Sequence, residues 1–460
     1  FRLLEPLREY ADEQLAGIER ETAVRCHAEY YLRLGEEAEP SLSSSEQTAT
    51  VRRLTPEMEN FRVILLAGRY AEASVDPSTA LRLAGAISRF WEARGSIREG
   101  TEFFIKLLAL TEQSDSDPFP LFHLTRAKVL RSTGGLLCAL GGYEKAHDYL
   151  TDALQSYQSL GDEIEAARTS MNLGNAGFYR GDLPFARACY ERGLITARQQ
   201  KDESLTARIL SNLAMVVHNQ GDLETALTLF EEALETSRKI KDDPGTANAL
   251  LNLGALRFYR EENSQAVQLF EECRALSQAI GHRSLYVRSI HNLGVASREQ
   301  GDLKTAQSLL EESEQILQEA EDKYGLAAVW EDLGLLAAEQ GNLTQALGLY
   351  TKSLKMRQEN GERIGIASSL QNIALLAARQ KKAKRAVPLL GAASALYETL
   401  GSPPSPQQKR LLTTTLPKLM SMLGDAVFTK LWEHGRSLTI DEAAAAALEQ
   451  DERGLAGTGQ

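Results

Sequence analysis

The sequence predicts an all-α fold, a solenoid built from antiparallel helix pairs. Three sets of residues recur every 40 residues in one common phase, and such internal repetition is typical of repeat arrays. The first set is a triplet, Asn172-Leu173-Gly174, Asn212-Leu213-Ala214, Asn252-Leu253-Gly254, Asn292-Leu293-Gly294, Asp332-Leu333-Gly334 and Asn372-Ile373-Ala374. The second is glycine, at Gly141, Gly181, Gly221, Gly301 and Gly341, with Glu261 and Lys381 in the two remaining places. The third is alanine, at Ala146, Ala186, Ala226, Ala266, Ala306, Ala346 and Ala386.

One unit, residues 246–280, shows why each repeat is predicted to be a helical hairpin. Apolar residues fall at helical spacing from Ala249 to Tyr259, a polar turn follows, and a second apolar stripe begins at Ala266. The small residues at Gly254 and Ala266 let the two helices, A and B, approach closely. Where Gly-Asp follows helix A, we expect the glycine to end that helix in a left-handed conformation and the aspartate to cap helix B. These pairs are Gly181-Asp182, Gly221-Asp222 and Gly301-Asp302.

The repeated residues resemble the tetratricopeptide repeat, whose pattern places Leu-Gly and an aromatic residue on helix A, then Ala and Phe or Tyr on helix B. The matching sets are Leu173-Gly174-Tyr179-Ala186-Tyr190, Leu253-Gly254-Tyr259-Ala266-Phe270 and Leu333-Gly334-Ala346-Tyr350. The basic repeat has a period of about 34 residues. The longer period here resembles the variant in bacterial signal-transduction regulators and cell-polarity adaptors. The resemblance implies a right-handed superhelix whose concave surface is lined by helix A.

The flanking segments carry a second resemblance. Residues 1–11, 27–31 and 57–62 resemble the junction that follows the ATPase module in bacterial STAND-type regulators, and residues 81–110 resemble the degenerate hairpin after it. Residues 389–439 are similar to the closing helices of predicted-ATPase regulators of the LuxR and antibiotic-regulator types. Residues 1–5 are predicted to form a strand, which in that family closes a winged-helix subdomain. No G-x-x-x-x-G-K-[ST] phosphate loop occurs in the chain, so the expected ATPase lies upstream of Phe1.

These patterns predict four segments. Residues 1–40 end a truncated winged-helix subdomain and add a connecting helix. Residues 41–120 form degenerate helical hairpins, and residues 121–400 form the regular repeats of period 40. Residues 401–460 form C-terminal capping helices and a tail, because a solenoid needs a terminal element with a polar outer face.

Composition excludes several classes of function. A net charge of −12 and a pI near 5.3 argue against direct nucleic-acid binding, which needs clustered Lys and Arg. No signal peptide and no long apolar run is present, so the sequence indicates a cytoplasmic protein with no membrane contact. The four cysteines lie far apart and are expected to be buried free thiols in a reducing compartment: Cys26, Cys138, Cys189 and Cys273.

The sequence offers no pattern for chemistry. The histidines are scattered, and neither a zinc-binding spacing nor a G-x-S-x-G motif occurs. Carboxylate pairs such as Glu231-Glu232 and Glu271-Glu272 recur with the repeat and therefore indicate a solvated helix face. We expect no catalytic residue, no metal site and no cofactor, and hence no enzyme.

The predicted function is binding along helix A. Residues six, three and two before the repeat glycine, and one after it, share a helical face, which the resemblance places on the concave groove. The asparagines form a ladder of amides suited to the backbone of an extended peptide, and the arginines suit carboxylates. A structural interpretation, in which each asparagine bonds backbone or a neighbouring helix, stays open. The candidate ligand-binding residues are Arg168, Asn172, Asn175, Arg208, Asn212, Asn248, Asn252, Arg288, His291 and Asn292.

The combined resemblance implies a non-catalytic sensor module of a multidomain signal-transduction ATPase and transcriptional regulator. Its groove would bind a peptide, a protein or a small effector, or the missing ATPase domain itself. The first alternative is a scaffold adaptor of the cell-polarity type with no switching role. A third class, a peptide-responsive phosphatase regulator, predicts an N-terminal helical bundle, and the strand predicted for residues 1–5 argues against it. The sequence leaves the oligomeric state open.

Overall fold

The structure, a computed structural model, describes residues 18–43, 46–66, 76–111, 120–401, 404 and 406–449. These residues form helices and no strand. Six helices precede the regular array: α1 (Ile18–Ala38), α2 (Gln47–Leu54), α3 (Met58–Leu66), α4 (Pro77–Ala86), α5 (Ser88–Arg94) and α6 (Ile97–Thr111). Short 3₁₀ helices span Ser41–Ser43 and Thr55–Glu57. The predicted all-α fold is confirmed.

The array consists of seven helical hairpins, each an A helix followed by a B helix. They are α7 (Pro120–Ala139) with α8 (Tyr143–Leu160), α9 (Glu163–Arg180) with α10 (Leu183–Gln199), α11 (Glu203–Asn219) with α12 (Leu223–Lys239), α13 (Asp243–Tyr259) with α14 (Asn263–Ala279), α15 (Arg283–Glu299) with α16 (Leu303–Glu319), α17 (Lys323–Glu339) with α18 (Leu343–Asn360), and α19 (Arg363–Arg379) with α20 (Ala383–Leu400). Three further helices follow: α21 (Pro406–Leu423), α22 (Asp425–Ser437) and α23 (Ile440–Leu448).

The chain divides into two compact units, Phe1–Thr236 and Ser237–Gln460. The core of unit 1 joins the early helices to the first repeats through fully buried aromatic side chains, including Phe61, Phe90, Trp91 and Phe104. In unit 2 the core of the last repeats continues into α21, α22 and α23 through residues such as Leu419 and Ala444. The C-terminal helices therefore belong to the packed body of unit 2.

The glycine at the centre of helix A is required for close packing within the hairpin. A Cβ on Gly254 would lie 2.6 Å from Cε1 of Phe270, and one on Gly334 would lie 2.6 Å from Cε1 of Tyr350. Real Cβ contacts are not this short, so the ring of helix B lies where a side chain on helix A would be. The alanines of the third set, such as Ala266, are fully buried.

The helix ends form as the Gly-Asp pattern predicts. Gly181, Gly221 and Gly301 have positive φ angles, and the aspartates that follow them accept hydrogen bonds from the first turn of helix B. The left-handed conformation is not limited to glycines. The angle φ is positive at every twentieth residue from Gly141 to Gly401. Five of these positions hold a longer side chain: Lys201, Lys241, Glu261, Glu321 and Lys381.

Some predictions fall outside the described residues. These are the strand at residues 1–5 and the winged-helix remnant that it would close, the polar connection at residues 112–119, and the tail beyond residue 449. The structure therefore does not test the argument that this strand excludes the phosphatase-regulator class. One thiol prediction is wrong: Cys26 is exposed on α1, while Cys138 is partly buried and Cys189 and Cys273 are buried. Cys26 falls on a polar face of α1, whereas the other three lie in apolar stripes.

Candidate binding site on the helix A face

In unit 1 the structure brings Asn175 and Asn212 together. Oδ1 of Asn175 accepts one hydrogen bond from the hydroxyl of Tyr190 across 2.6 Å and another from Nδ2 of Asn212 across 3.0 Å. These bonds connect α9 to its partner α10 and to the next A helix, α11. Asn175 and Asn212 thus have a structural role, which agrees with the structural interpretation of the ladder for this pair.

Arg168 also connects neighbouring A helices. Its guanidinium pairs with Asp202, the N-cap of α11, across 2.8 Å, and with Glu165 on its own helix across 3.2 Å. Asn172, one turn further along α9, is half-buried, and its amide makes no hydrogen bond within the described residues. Arg208 is exposed on α11.

In unit 2 the predicted residues lie on the adjacent helices α13 and α15. Asn248 and Asn252 are one turn apart on α13, and Arg288 and Asn292 are one turn apart on α15. The three asparagines are half-buried and make no side-chain hydrogen bond with the part of the chain that the structure describes, while Arg288 is exposed. His291 pairs through Nε2 with Asp332 across 2.7 Å.

The ladder therefore contains two kinds of asparagine. Asn175 and Asn212 are bonded to each other, whereas Asn172, Asn248, Asn252 and Asn292 each present an amide with no partner in the described chain. An amide offers two donors and an acceptor, which matches the alternating donors and acceptors of an extended backbone. The ten predicted residues lie on an A face in each unit, formed by α9 and α11 in unit 1 and by α13 and α15 in unit 2. Ligand binding by those residues remains a prediction.

Sequence reasoning missed a feature beside the A face in unit 2, where α21 covers part of four A helices. A cavity of about 560 Å³ lies beneath α21. Its floor includes the residue after the repeat glycine position in each helix, and its roof is the inner side of α21. The floor positions are Ala255, Val295, Leu335 and Leu375, and the roof includes Gln408, Leu411, Thr415, Lys418 and Leu419.

Polar contacts help to hold α21 in place. Nε2 of Gln408 donates to Oγ of Ser368 on α19 across 2.7 Å, and Arg410 pairs with Glu261. Glu261 stands in the left-handed turn after α13, with φ of 65°, where five other repeats have glycine and one has Lys381. A non-glycine residue in this conformation costs about 1 kcal/mol or more. The Glu261 side chain, which a glycine would lack, forms the ion pair with Arg410 of α21.

A buried polar network underlies the same cavity. The Glu331 carboxylate accepts hydrogen bonds from Arg357, from Ser368 and, across 2.8 Å, from Nδ2 of Asn372. Ser368 is the residue that Gln408 of α21 also contacts. Glu331, Arg357 and Asn372 are each more than nine-tenths buried. The roof helix is thus connected to the core of the last repeats.

The acidic residues that line the cavity are all paired. Arg298 forms ion pairs with Glu299 and Glu339, His291 pairs with Asp332, and Arg357 pairs with Glu331. Each carboxylate at the cavity therefore has a partner within the protein. Burial raises the pKa of the Tyr350 hydroxyl, which lines the same cavity and remains protonated at neutral pH.

The described residues contain neither a metal-binding cluster nor a membrane-spanning helix. No cluster of three or more His, Cys, Asp or Glu side chains has an arrangement suited to a metal ion there. Within the same ranges, no helix combines the length and the apolar character that crossing a bilayer requires.

Comparison with known proteins agrees with this architecture. Residues 205–279, 284–359 and 325–399 match the tetratricopeptide repeat. Several solved structures share the fold at low identity. The apo form of the quorum sensor NprR from B. thuringiensis has a TM-score of 0.56 and 14% identity, covering 82% of this chain and 99% of that one. No curated protein matches the chain in sequence.

Two other solved structures show the same likeness. A Rap protein complexed with competence and sporulation factor has a TM-score of 0.54 and 14% identity, covering 88% of this chain and 99% of that one. Aspartyl phosphate phosphatase F from Bacillus subtilis has a TM-score of 0.52 and 12% identity, covering 86% and 96%. At such identities these likenesses establish a common fold and no shared activity.

Proposed function

We propose that this chain is a non-catalytic binding module whose A face takes an extended peptide segment. The observation that carries the proposal is the set of half-buried asparagines with open amides on neighbouring helices of unit 2, Asn248 and Asn252 on α13 and Asn292 on α15. Packed helices lie about 8–10 Å apart. An extended chain advances about 3.3 Å per residue, so amides on adjacent A helices meet its backbone about every third residue.

The charges on the A face indicate which peptides would be preferred. Arg208 and Arg288 are exposed at the same position of two A helices, six residues before the repeat glycine position. Arginine binds carboxylates through paired hydrogen bonds. In the later repeats, Glu339, Glu331 and Asp332 are already paired with Arg298, Arg357 and His291 respectively. The favoured ligand of unit 2 is thus a peptide with an acidic side chain or a free carboxyl terminus near Arg288.

We also propose that the module senses a signal for a larger protein, a STAND-type ATPase regulator of transcription in bacteria. This proposal is supported by the resemblance of residues 57–62, 81–110 and 389–439 to the corresponding regions of such regulators. NprR, which shares the fold, is a quorum sensor, and the Rap protein was solved with competence and sporulation factor. A G-x-x-x-x-G-K-[ST] motif upstream in the same reading frame would support the regulator, whereas a gene without one would favour the scaffold adaptor.

The binding proposal is tested with peptides selected from a random library on the wild-type chain. Each peptide is then measured by fluorescence anisotropy against Asn252→Ala/Asn292→Ala and against Arg288→Ala. Each lost hydrogen bond removes about 0.5–1.5 kcal/mol, so we expect the double variant to bind about tenfold more weakly. The matched control is Gln268→Ala/Gln278→Ala, which removes two exposed amides from helix B α14. Equal affinity of all variants would refute the A face as the peptide site.

A further inference from the structure

The cavity beneath α21 contains two buried polar groups without a partner. Asn372 is 2% exposed; its Nδ2 donates to Glu331, but its Oδ1 accepts no hydrogen bond within the described chain. Tyr350 is also 2% exposed, and its hydroxyl makes no hydrogen bond in those residues. Both residues line the cavity. Oδ1 of Asn372 is fully buried behind the lining, so the Tyr350 hydroxyl is the open group that a ligand in the cavity would meet.

The open hydroxyl of Tyr350 follows from one difference between repeats. In the α9–α10 repeat the equivalent Tyr190 donates to Asn175, the residue after the glycine. In the α17–α18 repeat the residue after the glycine is Leu335, which cannot accept a hydrogen bond. Leu335 therefore gives the cavity an apolar floor and leaves the Tyr350 hydroxyl available as a donor.

Two cations that line the cavity have no carboxylate partner in the described residues. The four carboxylates of the cavity are paired, as described above. Arg379 on α19 and Lys418 on α21 line the cavity, and neither has a carboxylate within ion-pair distance in the part of the chain that the structure describes. Arg379 donates only to the backbone oxygen of Ala338, across 3.1 Å. Arg379 belongs to a floor helix of the cavity and Lys418 to its roof helix.

The rest of the lining is apolar. Phe258, Leu335 and Leu375 line the floor, and Leu411 and Leu419 face them from the roof. A volume of about 560 Å³ falls in the range of about 300–1,000 Å³ in which proteins bind drug-sized molecules. Such a lining favours a ligand with a mainly apolar body.

We propose that this cavity binds a small amphiphilic carboxylic acid. Its carboxylate pairs with Arg379 and Lys418, its apolar body fills the space between Leu335, Leu375 and Leu411, and a polar group at its inner end accepts from the Tyr350 hydroxyl. The ligand touches both floor and roof, so binding strengthens the attachment of α21. The cavity lies after the repeat glycines of α13 and α15, whereas the asparagines of the A face lie before them, so this proposal stands independently of peptide binding.

The test uses 11-(dansylamino)undecanoic acid as a fluorescent probe, with its methyl ester as the neutral analogue. We expect saturable binding of the acid at one site per chain and at least tenfold weaker binding of the ester. Arg379→Met/Lys418→Met should bind the acid at least tenfold more weakly, and each single variant should show part of that loss. Tyr350→Phe, which keeps the ring, should weaken binding severalfold.

The matched control is Arg363→Met/Lys409→Met, which removes one exposed arginine from α19 and one exposed lysine from α21, both outside the cavity lining. Circular dichroism establishes that each variant is folded. Binding of the acid that is lost only in the cavity variants would support the proposal. Absence of saturable binding by the folded wild-type chain, equal binding of acid and ester, or equal loss in the control would overturn it. Peptide affinity measured on the same variants reports separately on the A face.

Discussion

The hydroxyl of Tyr190 donates a hydrogen bond to Oδ1 of Asn175 across 2.6 Å, and that one oxygen also accepts from Asn212. The residue after the repeat glycine therefore determines whether a tyrosine hydroxyl on helix B has a hydrogen-bond acceptor. An asparagine at that position connects three helices by hydrogen bonds. A leucine, as at Leu335, leaves the tyrosine hydroxyl without an acceptor.

Replacing Asn175 by Leu should destabilise unit 1. The change leaves the buried Tyr190 hydroxyl without an acceptor and removes the partner of Asn212, and an unpaired buried group costs about 1–3 kcal/mol. Urea unfolding followed by circular dichroism measures the loss. Asn172→Leu is the control, since Asn172 lies on the same helix and makes no hydrogen bond in the described residues. Equal losses in the two variants would contradict a role for this network.

Adding a methyl group at Gly254 should destabilise unit 2 by about 1–3 kcal/mol, because the new Cβ overlaps the ring of Phe270 and overpacks the hairpin. Gly348→Ala is the matched control, because Gly348 lies inside helix α18 with nothing within 4 Å of the added atom. There the better helix propensity of alanine should stabilise by up to about 1 kcal/mol. Thermal unfolding of both variants should show shifts of opposite sign, and a stabilised Gly254→Ala would be inconsistent with the close approach.

Breaking the buried ion pair of Arg357 and Glu331 should strongly destabilise unit 2. Arg357→Met leaves the Glu331 carboxylate buried without its cation, for which about 3–5 kcal/mol is typical. The double variant Arg357→Met/Glu331→Met should recover much of that loss, since neither charge then remains. Denaturant unfolding of the two variants and of the wild type measures these changes in the free energy of unfolding. A double variant as unstable as the single one would show that shape, rather than the unpaired charge, dominates.

His218 should make unit 1 less stable in acid. Burial lowers the pKa of His218 below its usual 6.5, so the folded state holds a neutral imidazole where the unfolded state takes up a proton. Stability is therefore complete above pH 6.5 and falls as pH decreases through that value. His218→Gln should flatten the dependence of the unfolding midpoint between about pH 7 and pH 5. An unchanged slope would mean that other groups control this range.

The thiols should differ in reactivity. Burial raises the pKa of Cys273 and of Cys138 to about 11, and burial also raises that of Cys189. The thiolate is the reactive form, so at pH 8 Ellman's reagent should modify exposed Cys26 quickly and the other three only on unfolding. Cys26→Ser should remove the fast phase. A second fast thiol in that variant would contradict the burial of the others.

The repeated part of the fold could be predicted from the sequence because its determinants are local. The period fixes the hairpins, the glycines mark contacts such as Gly254 with Phe270, and Gly-Asp marks the helix ends. The roof formed by α21 could not be predicted, since α21 lies outside the periodic sequence. Its contacts, Gln408 with Ser368 and Arg410 with Glu261, join distant residues whose pairing no local pattern encodes.

The candidate site was predictable in position but not in chemistry. The helical period places the asparagines at the same point of each repeat, yet their partners depend on neighbours that differ. Asn212 is bonded because Asn175 stands on the preceding A helix, and Asn372 is buried because Glu331 lies beside it. One comparison within the sequence would have located the cavity floor: Leu335 stands where Asn175 stands, opposite an equivalent tyrosine.

The evenly spaced left-handed turns between Gly141 and Gly401 have a consequence for how such a gene changes. Two copies of this coding region that pair one repeat out of step still align turn with turn. A crossover between them adds or removes one whole hairpin and leaves helices on both sides of the junction intact. Array length is therefore expected to vary among descendants in steps of one hairpin.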